Sequence, residues 1–382
     1  MTRLSSLIVP ALLPPERLPE YAPHHNAKHK LIREYANVWF PKLGFSYPQV
    51  AVVDGYASTG RYRDRQPGSP LILLHAYLCR SDHHRFQSPP HFVFIEERRS
   101  FAAHLQAELD ALDLKGTRVD VIHGAYVDRF PMVVEWLATH YRQPLPTFVF
   151  IDPLGYKGNP FSHLRLLKRQ LPKKSEALVY VPASWMARFA RTGITATALD
   201  ELYSNRSWED AVEQESTRRG ASEALAGAFY DVMKGEFDWV TRFNVDPLRH
   251  NDYYLMFGSD SLHGLREMKR AQWKVDPVGG RAYQQSAARA IGQGELFAAE
   301  ELGELPREET LPVLLRERFG TEAFTIEDAE FFTLTQTRFL DDKHLRQWAL
   351  IPLQSAEQLK VESSTRRRER DFPSKTLMRF VD

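Results

Sequence analysis

Apolar runs of strand length recur along the first half of the chain, at Val50–Val53, Phe92–Ile95, Val119–Ile122, Phe148–Ile151 and Ala177–Val181. β-Branched and aromatic residues dominate them, and they are nearly continuous rather than alternating. Strands buried on both faces of a parallel sheet read this way. Between them the apolar positions follow a helical period: Phe101, Leu105, Leu109 and Leu112, then Val133, Val134 and Leu137, then Phe161, Leu164, Leu167 and Leu171. Strands alternating with helices predict βαβ units and a doubly wound sheet covered on both faces. Two later strands, Trp239–Val245 and Tyr253–Phe257, flank an Asp246-Pro247 turn signal. Small and charged residues at helical spacing from Ser207 to Glu236 predict an inserted helical pair, with the insertion near 200–236.

The pattern changes after Asp276-Pro277-Val278-Gly279-Gly280. Helical spacing returns at Leu311, Leu314, Leu315 and Phe319, and Thr325-x-x-Asp328 reads as a capping box opening a second helix. A third helix begins after Asp341-Asp342 and runs through Leu345, Trp348 and Ala349, with Pro352 placed to kink or interrupt it. Strands at Gln358–Glu362 and Thr376–Val381 frame a basic loop. Three helices followed by a hairpin with a basic tip is the element order of a winged helix-turn-helix. Lys343, His344, Arg346 and Gln347 are then the groove-side candidates, and Arg366, Arg367, Arg368 and Arg370 the phosphate contacts. A hairpin tip used for protein contact is the competing reading, because Glu369 and Asp371 dilute the patch.

Length fits this division: 382 residues suggest two domains or three. The expected organisation is an arm over 1–23, an α/β domain over 24–275, and a helical connector with a winged-helix-like domain over 276–382. The stretch Leu7–Leu13 is too short to span a bilayer and holds Pro10, so it reads as an extended arm packed on the surface. The protein is read as soluble and cytoplasmic, with no membrane partner. The net charge of +1 excludes a histone-like partner of nucleic acid, yet it is a cancellation. Residues 293–330 carry a balance of −8 and residues 343–379 a balance of +5. One cysteine, Cys79, excludes a disulfide framework, a zinc ribbon or an iron–sulfur cluster built from this chain alone, and is read as a semi-buried packing residue. His24, His25 and His29 cluster with no carboxylate among them, so they read as a polar lid or a helix end and no metal is expected.

Ligands of doubly wound sheets bind at the carboxyl ends of the strands. Asp54-Gly55-Tyr56-Ala57-Ser58-Thr59-Gly60 follows the first strand, and its small residues allow a sharp turn and close approach to a ligand. Glu96 ends the second strand, where a carboxylate can hold a ribose diol. His123-Gly124-Ala125-Tyr126 follows the third, and Asp152-Pro153-Leu154-Gly155-Tyr156 the fourth.

These residues resemble a known family. Lys28-His29-Lys30-Leu31-Ile32-Arg33-Glu34-Tyr35, the segments Val53–Gly60 and Pro67–Leu71, Phe94-Ile95-Glu96, Phe150–Gly155 and Tyr253–Phe257 together look like the three-Cys-motif partner proteins. The N-terminal part is also similar to class I S-adenosylmethionine-dependent methyltransferases of the 23S ribosomal RNA adenine-N6 type. The resemblance implies a Rossmann-like class I methyltransferase sheet, whose last strand runs antiparallel, and S-adenosylmethionine as cofactor. It implies that Lys28, Asp54, Gly55, Tyr56, Ala57, Gly60, Glu96 and Gly124 line the cofactor site. Asp152 and Pro153 would orient an acceptor amine and Tyr156 would stack on its base. The implied partners are a three-Cys-motif protein and DNA or RNA. The chain departs from the methyltransferase pattern at Leu154 and Gly155, where the family has a second proline and an aromatic, and at Ala125, where it has an acidic residue. Two readings therefore stand: a methyltransferase acting on nucleic acid, and a catalytically silent subunit that binds nucleic acid or the three-Cys-motif protein.

Overall fold

In the computed structural model, the described residues are 13–21, 23–193, 196–245, 253–277, 279–280, 310–363, 368 and 371–381. They form two compact units that divide between Gly264 and Leu265.

The first unit is built on a seven-stranded sheet. The strands are β1 (Ala51–Asp54), β2 (His91–Glu96), β3 (Arg118–His123), β4 (Thr147–Ile151), β5 (Ser175–Val181), β6 (Trp239–Asn244) and β7 (Tyr254–Ser259). All seven expected strands are present, in the order β3-β2-β1-β4-β5-β7-β6. The first five run parallel, and β7 pairs antiparallel with both β5 and β6. Every residue of β1, β2, β4, β5 and β7 is buried, whereas the edge strands β3 and β6 are partly open. This burial explains the nearly continuous apolar runs: helices cover both faces, so the central strands are buried on each side.

The covering helices are α1 (Pro23–Gly44), α2 (Ser69–Leu78), α3 (Arg99–Asp110), α4 (Tyr126–His140) and α5 (Ser162–Gln170). On α1, Leu31, Ile32, Tyr35, Ala36, Trp39 and Phe40 are buried, the i, i+4, i+8 stripe of a helix lying on a sheet. Tyr35 donates its hydroxyl to Glu176 at 2.7 Å, and Ser259 donates to the other carboxylate oxygen at 2.6 Å. A buried carboxylate at the amino end of β5 thus anchors the middle of α1.

Between β5 and β6 lie α6 (Ala183–Phe189), α7 (Ala196–Tyr203), α8 (Ser207–Glu213) and α9 (Arg218–Lys234). The expected pair corresponds to α8 and α9. The insertion also holds α6 and α7, seven and eight residues long. The Asp246-Pro247 turn lies outside the described residues. From the N-terminal arm, a 3₁₀ turn at Pro15–Arg17 is described, and Arg63 donates its amide to Pro19 at 2.9 Å.

The helix α10 (Leu262–Val275) falls almost wholly in the second unit, so the compact division precedes the expected border at 275. This unit contains helices at Leu311–Phe319, Ile326–Gln336, Asp341–Leu350 and Ile351–Ser355, and strands β8 (Phe324–Thr325), β9 (Leu359–Ser363) and β10 (Leu377–Phe380). The strands form an antiparallel sheet in the order β8-β10-β9. The capping box forms as expected: Thr325 Oγ1 accepts the Asp328 amide at 3.2 Å, and Asp328 accepts the Thr325 amide at 2.9 Å. The segment Asp341–Leu350 is wound as a wide π-type helix, and Pro352 sits in the first turn of the α-helical stretch behind it. A proline is tolerated there because first-turn amides have no intrahelical acceptor. Among the described residues, no helix is long and apolar enough to cross a membrane.

Lys269 on α10 organises this unit. Its buried ammonium donates to the carbonyl oxygens of Leu334 at 2.7 Å, Thr337 at 2.8 Å and Phe339 at 2.6 Å. These carbonyls terminate the helix Ile326–Gln336, where backbone acceptors lack partners. Lys269→Met keeps the aliphatic stem and strands the carbonyls, so the second unit should lose about 2–3 kcal/mol. Urea denaturation followed by near-ultraviolet circular dichroism measures this; an unchanged midpoint would show that water replaces the ammonium without cost.

Candidate functional site

The strand order reverses between β1 and β4, and ligands of doubly wound sheets bind beyond the carboxyl ends of the strands at such a point. β1 ends on Asp54, which is fully buried. Its Oδ1 accepts the Tyr56 amide at 3.1 Å, while Oδ2 has no hydrogen-bond partner among the described residues. Burial raises its pKa to about 7, reinforced by the neighbouring Asp152 charge and opposed by the Ser69 hydroxyl, the Tyr56 amide and Lys28.

The loop behind Asp54 is pinned to both neighbouring strands. The Gly55 amide donates to the Phe150 carbonyl of β4 and the Ala57 amide to the Ile95 carbonyl of β2, each at 2.9 Å. Gly55 lies against the Tyr126 ring, where a Cβ would come within 2.7 Å. Gly60 has φ +72°, and a Cβ there would meet Leu105 at 2.5 Å. These two glycines are required by close approach and by backbone conformation. Tyr56 stacks on Tyr126, with centroids 5.0 Å apart, and donates its hydroxyl to Gly158 at 3.2 Å.

Glu96 at the end of β2 faces the same loop. Its carboxylate accepts the Ser58 amide at 2.8 Å and the Arg98 amide at 2.7 Å. Burial raises its pKa and these two amides pull it back. Each oxygen keeps a second lone pair for a ligand hydroxyl. The adjoining Gly124 has φ +142° and donates its amide to the Glu96 carbonyl at 3.0 Å.

Asp152 follows β4, with 18% of its side chain exposed, and is ion-paired to the buried ammonium of Lys28. Lys28 projects from the beginning of α1, 5.2 Å from the centroid of the Tyr180 ring. Beside it, Tyr21, His25, His29 and Tyr62 form a ring cluster: His25 and His29 stack at 5.9 Å, and Tyr62 lies 5.0 Å from His25 and 5.1 Å from Tyr21. The charges of Asp152 and Asp54 add to burial in pushing the Tyr62 phenol pKa upward. Of the three expected histidines, His25 and His29 meet beside Lys28, and the side chain of His24 lies outside the described ones. Tyr62 and Tyr180 escape sequence reasoning, one in a polar loop and one at a strand end.

Several expected site residues are placed differently. Tyr156 is only 6% exposed and packs in the hydrophobic core, while Leu154 is 85% exposed. A ring packed among core residues is not presented for stacking on a base. In the second unit Lys343, Arg346 and Gln347 are exposed, and Arg346 lies 3.6 Å from Glu330. His344 is buried, not groove-facing: its ring packs 4.3 Å from Trp273 and from Trp348, and its Nδ1 accepts the Leu340 amide at 2.9 Å. Arg368 is exposed, whereas Arg366, Arg367 and Arg370 lie outside the described residues. Cys79 is exposed at the end of α2 rather than semi-buried, because the apolar face of that helix ends at Leu78. Among the described residues, no group of histidine, cysteine and carboxylate side chains could hold a metal ion.

No family model and no curated protein matches the chain. Among solved structures it is similar to an O-methyltransferase from Bacillus cereus in complex with SAH, at 12% identity over 64% of this chain and 85% of that one, with a TM-score of 0.35. It is similar to human methyltransferase-like protein 13 in complex with SAH, at 13% identity over 66% and 92%, with a TM-score of 0.35. It is also similar to the plantazolicin methyltransferase in complex with a triazolic desmethylPZN analog and SAH, at 10% identity over 62% and 86%, with a TM-score of 0.33.

The raised pKa of Asp54 predicts a pH signature. The folded state holds this proton up to about pH 7, the unfolded chain only to about 3.8. The associated stability is complete below pH 3.8 and is lost as pH rises towards 7, a swing of roughly 4 kcal/mol at 1.36 kcal/mol per unit. Asp54→Asn removes the titration. Its stability relative to the parent should therefore grow from pH 4 to pH 7 and level off above. Urea titrations of both proteins across that range test this, and a pH-independent difference would reject a buried protonated Asp54.

Proposed function

We propose that the chain is a cytoplasmic S-adenosylmethionine-dependent methyltransferase acting on nucleic acid together with a three-Cys-motif protein. The observation that carries this reading is the placement of Asp54, Glu96 and Asp152 at the carboxyl ends of β1, β2 and β4, around the point where the strand order reverses. The residues fit the cofactor. Asp54 offers a buried carboxylate oxygen without a partner, suited to a cationic group. The loop from Gly55 to Gly60 admits close backbone approach, and the remaining lone pairs of Glu96 suit a ribose diol.

When bound, S-adenosylmethionine supplies an electrophilic methyl group on a sulfonium. The work of the chain is then to hold and orient the acceptor. Lys28 keeps one oxygen of Asp152 engaged and the carboxylate fixed. Its second oxygen is left to accept a hydrogen bond from the acceptor amine, with the Pro153 carbonyl as the other acceptor. A fixed acceptor pair of this kind aims the nitrogen lone pair without reorganisation at the moment of transfer. For the second unit, the order helix, strand, three helices and two antiparallel strands supports a winged-helix reading. Lys343 and Arg346 on the exposed helix face and the basic hairpin would meet phosphates.

The silent-subunit reading has its own support: Asp152 already holds a lysine, and Gly155 and the buried Tyr156 leave the motif without a presented ring. Calorimetric titration separates the two. S-Adenosylmethionine should bind at one site, and Glu96→Ala should weaken it about tenfold, the loss of a good hydrogen-bonded pair. Asp152→Ala should bind the cofactor normally and transfer labelled methyl to nucleic acid at least ~100-fold more slowly. An absence of binding heat at millimolar cofactor would sink the methyltransferase reading and leave the silent subunit.

A further inference from the structure

The acceptor motif lacks a presented ring, and the neighbouring strand end supplies one. β4 and β5 are parallel neighbours, with Ile151 in register with Val179. Their carboxyl ends therefore deliver Asp152–Gly155 and Pro182–Trp185 side by side. Gly155 sets bare backbone against the indole of Trp185: a Cβ on Gly155 would sit 3.7 Å from Trp185 Cζ3. Trp185 is 43% exposed, on the outer stripe of α6. Arg188 and Phe189 follow at i+3 and i+4, both exposed, and Leu154 and Lys157 are exposed on the facing loop.

Resting on the nucleic-acid reading above, we infer that Trp185 is the stacking residue for the acceptor base, and that α6 with the 154–157 loop is the docking surface for a single-stranded or flipped-out segment of nucleic acid. The two chemistries are complementary. A surface of stacking and apolar groups interleaved with cations matches a polymer that alternates planar bases with phosphates. An acceptor orientated by Asp152 needs a flat contact on its face, and Trp185 is the exposed ring lying against that motif. Tyr156 cannot serve, since its ring is packed in the core. Trp185 acts here as a positioning residue: it fixes the plane of the base and takes no proton.

The test uses the full chain and a fluorescein-labelled single-stranded oligonucleotide, in ribo and deoxy forms, read by anisotropy over a salt series. Trp185→Ala should weaken binding about tenfold, within the range seen for loss of one base–aromatic stack. Trp185→Phe should recover most of that loss, which a merely structural role would not explain. Arg188→Glu should lower the slope of log affinity against log salt by about one. All three variants should return the parental heat with S-adenosylmethionine. Equal binding by Trp185→Ala and the parent would overturn the inference. So would a parent that binds no oligonucleotide while titrating normally with cofactor, which would leave the methyltransferase reading intact. Missing cofactor heat alongside a clear Trp185 effect would do the converse, removing the enzyme and keeping the docking surface.

Discussion

Beyond the carboxyl ends of β1 and β4, two carboxylates, Asp54 and Asp152, share one ammonium, Lys28, and this imbalance is the constraint around which the first unit is arranged. Lys28 pairs with Asp152, which leaves Asp54 buried with only the Tyr56 amide and the Ser69 hydroxyl to offset its charge. Burying an uncompensated charge is costly, and the group responds by holding its proton. The sheet tolerates the arrangement because the cost is confined to one corner, while the strands beneath form a continuous apolar core. A site that is poorer in positive charge than its carboxylates require is suited to receiving a cation.

The positions of the strands were legible because burial on both faces erases alternation and leaves unbroken apolar runs. The departures from expectation have a common origin in packing that no local pattern encodes. β8 is two residues long and exists only because β10 pairs with it. His344 and Lys343 are adjacent in sequence, and only the phase of a wide-turn helix decides that one is buried against two tryptophans and the other faces water.

The candidate site shows the same division. Asp54, Glu96 and Asp152 were legible because a strand-end position is fixed by the strand itself. Lys28 was suggested by resemblance alone, since nothing near it in sequence marks a partner on β4. Tyr62, Tyr180 and Trp185 carry no motif, and each gains its place from an element distant in the chain. Tyr156 reads the opposite way: its position after Asp152-Pro153 suggested a presented ring, but the turn at Leu154-Gly155 swings it into the core and leaves Leu154 outside.

The pairing of Lys28 with Asp152 also bears on assembly. The two residues are separated by 124 positions. Contacts of such separation form late, because the chain between them must first be ordered. α1 leaves the ribosome long before its acceptor exists, with a polar face that has nothing to bind and an apolar face awaiting a sheet. Its other anchor, Glu176, is synthesised later still, and Ser259 after that. The ion pair therefore ties the first helix of the α/β unit to the end of a central strand, across a long stretch of chain.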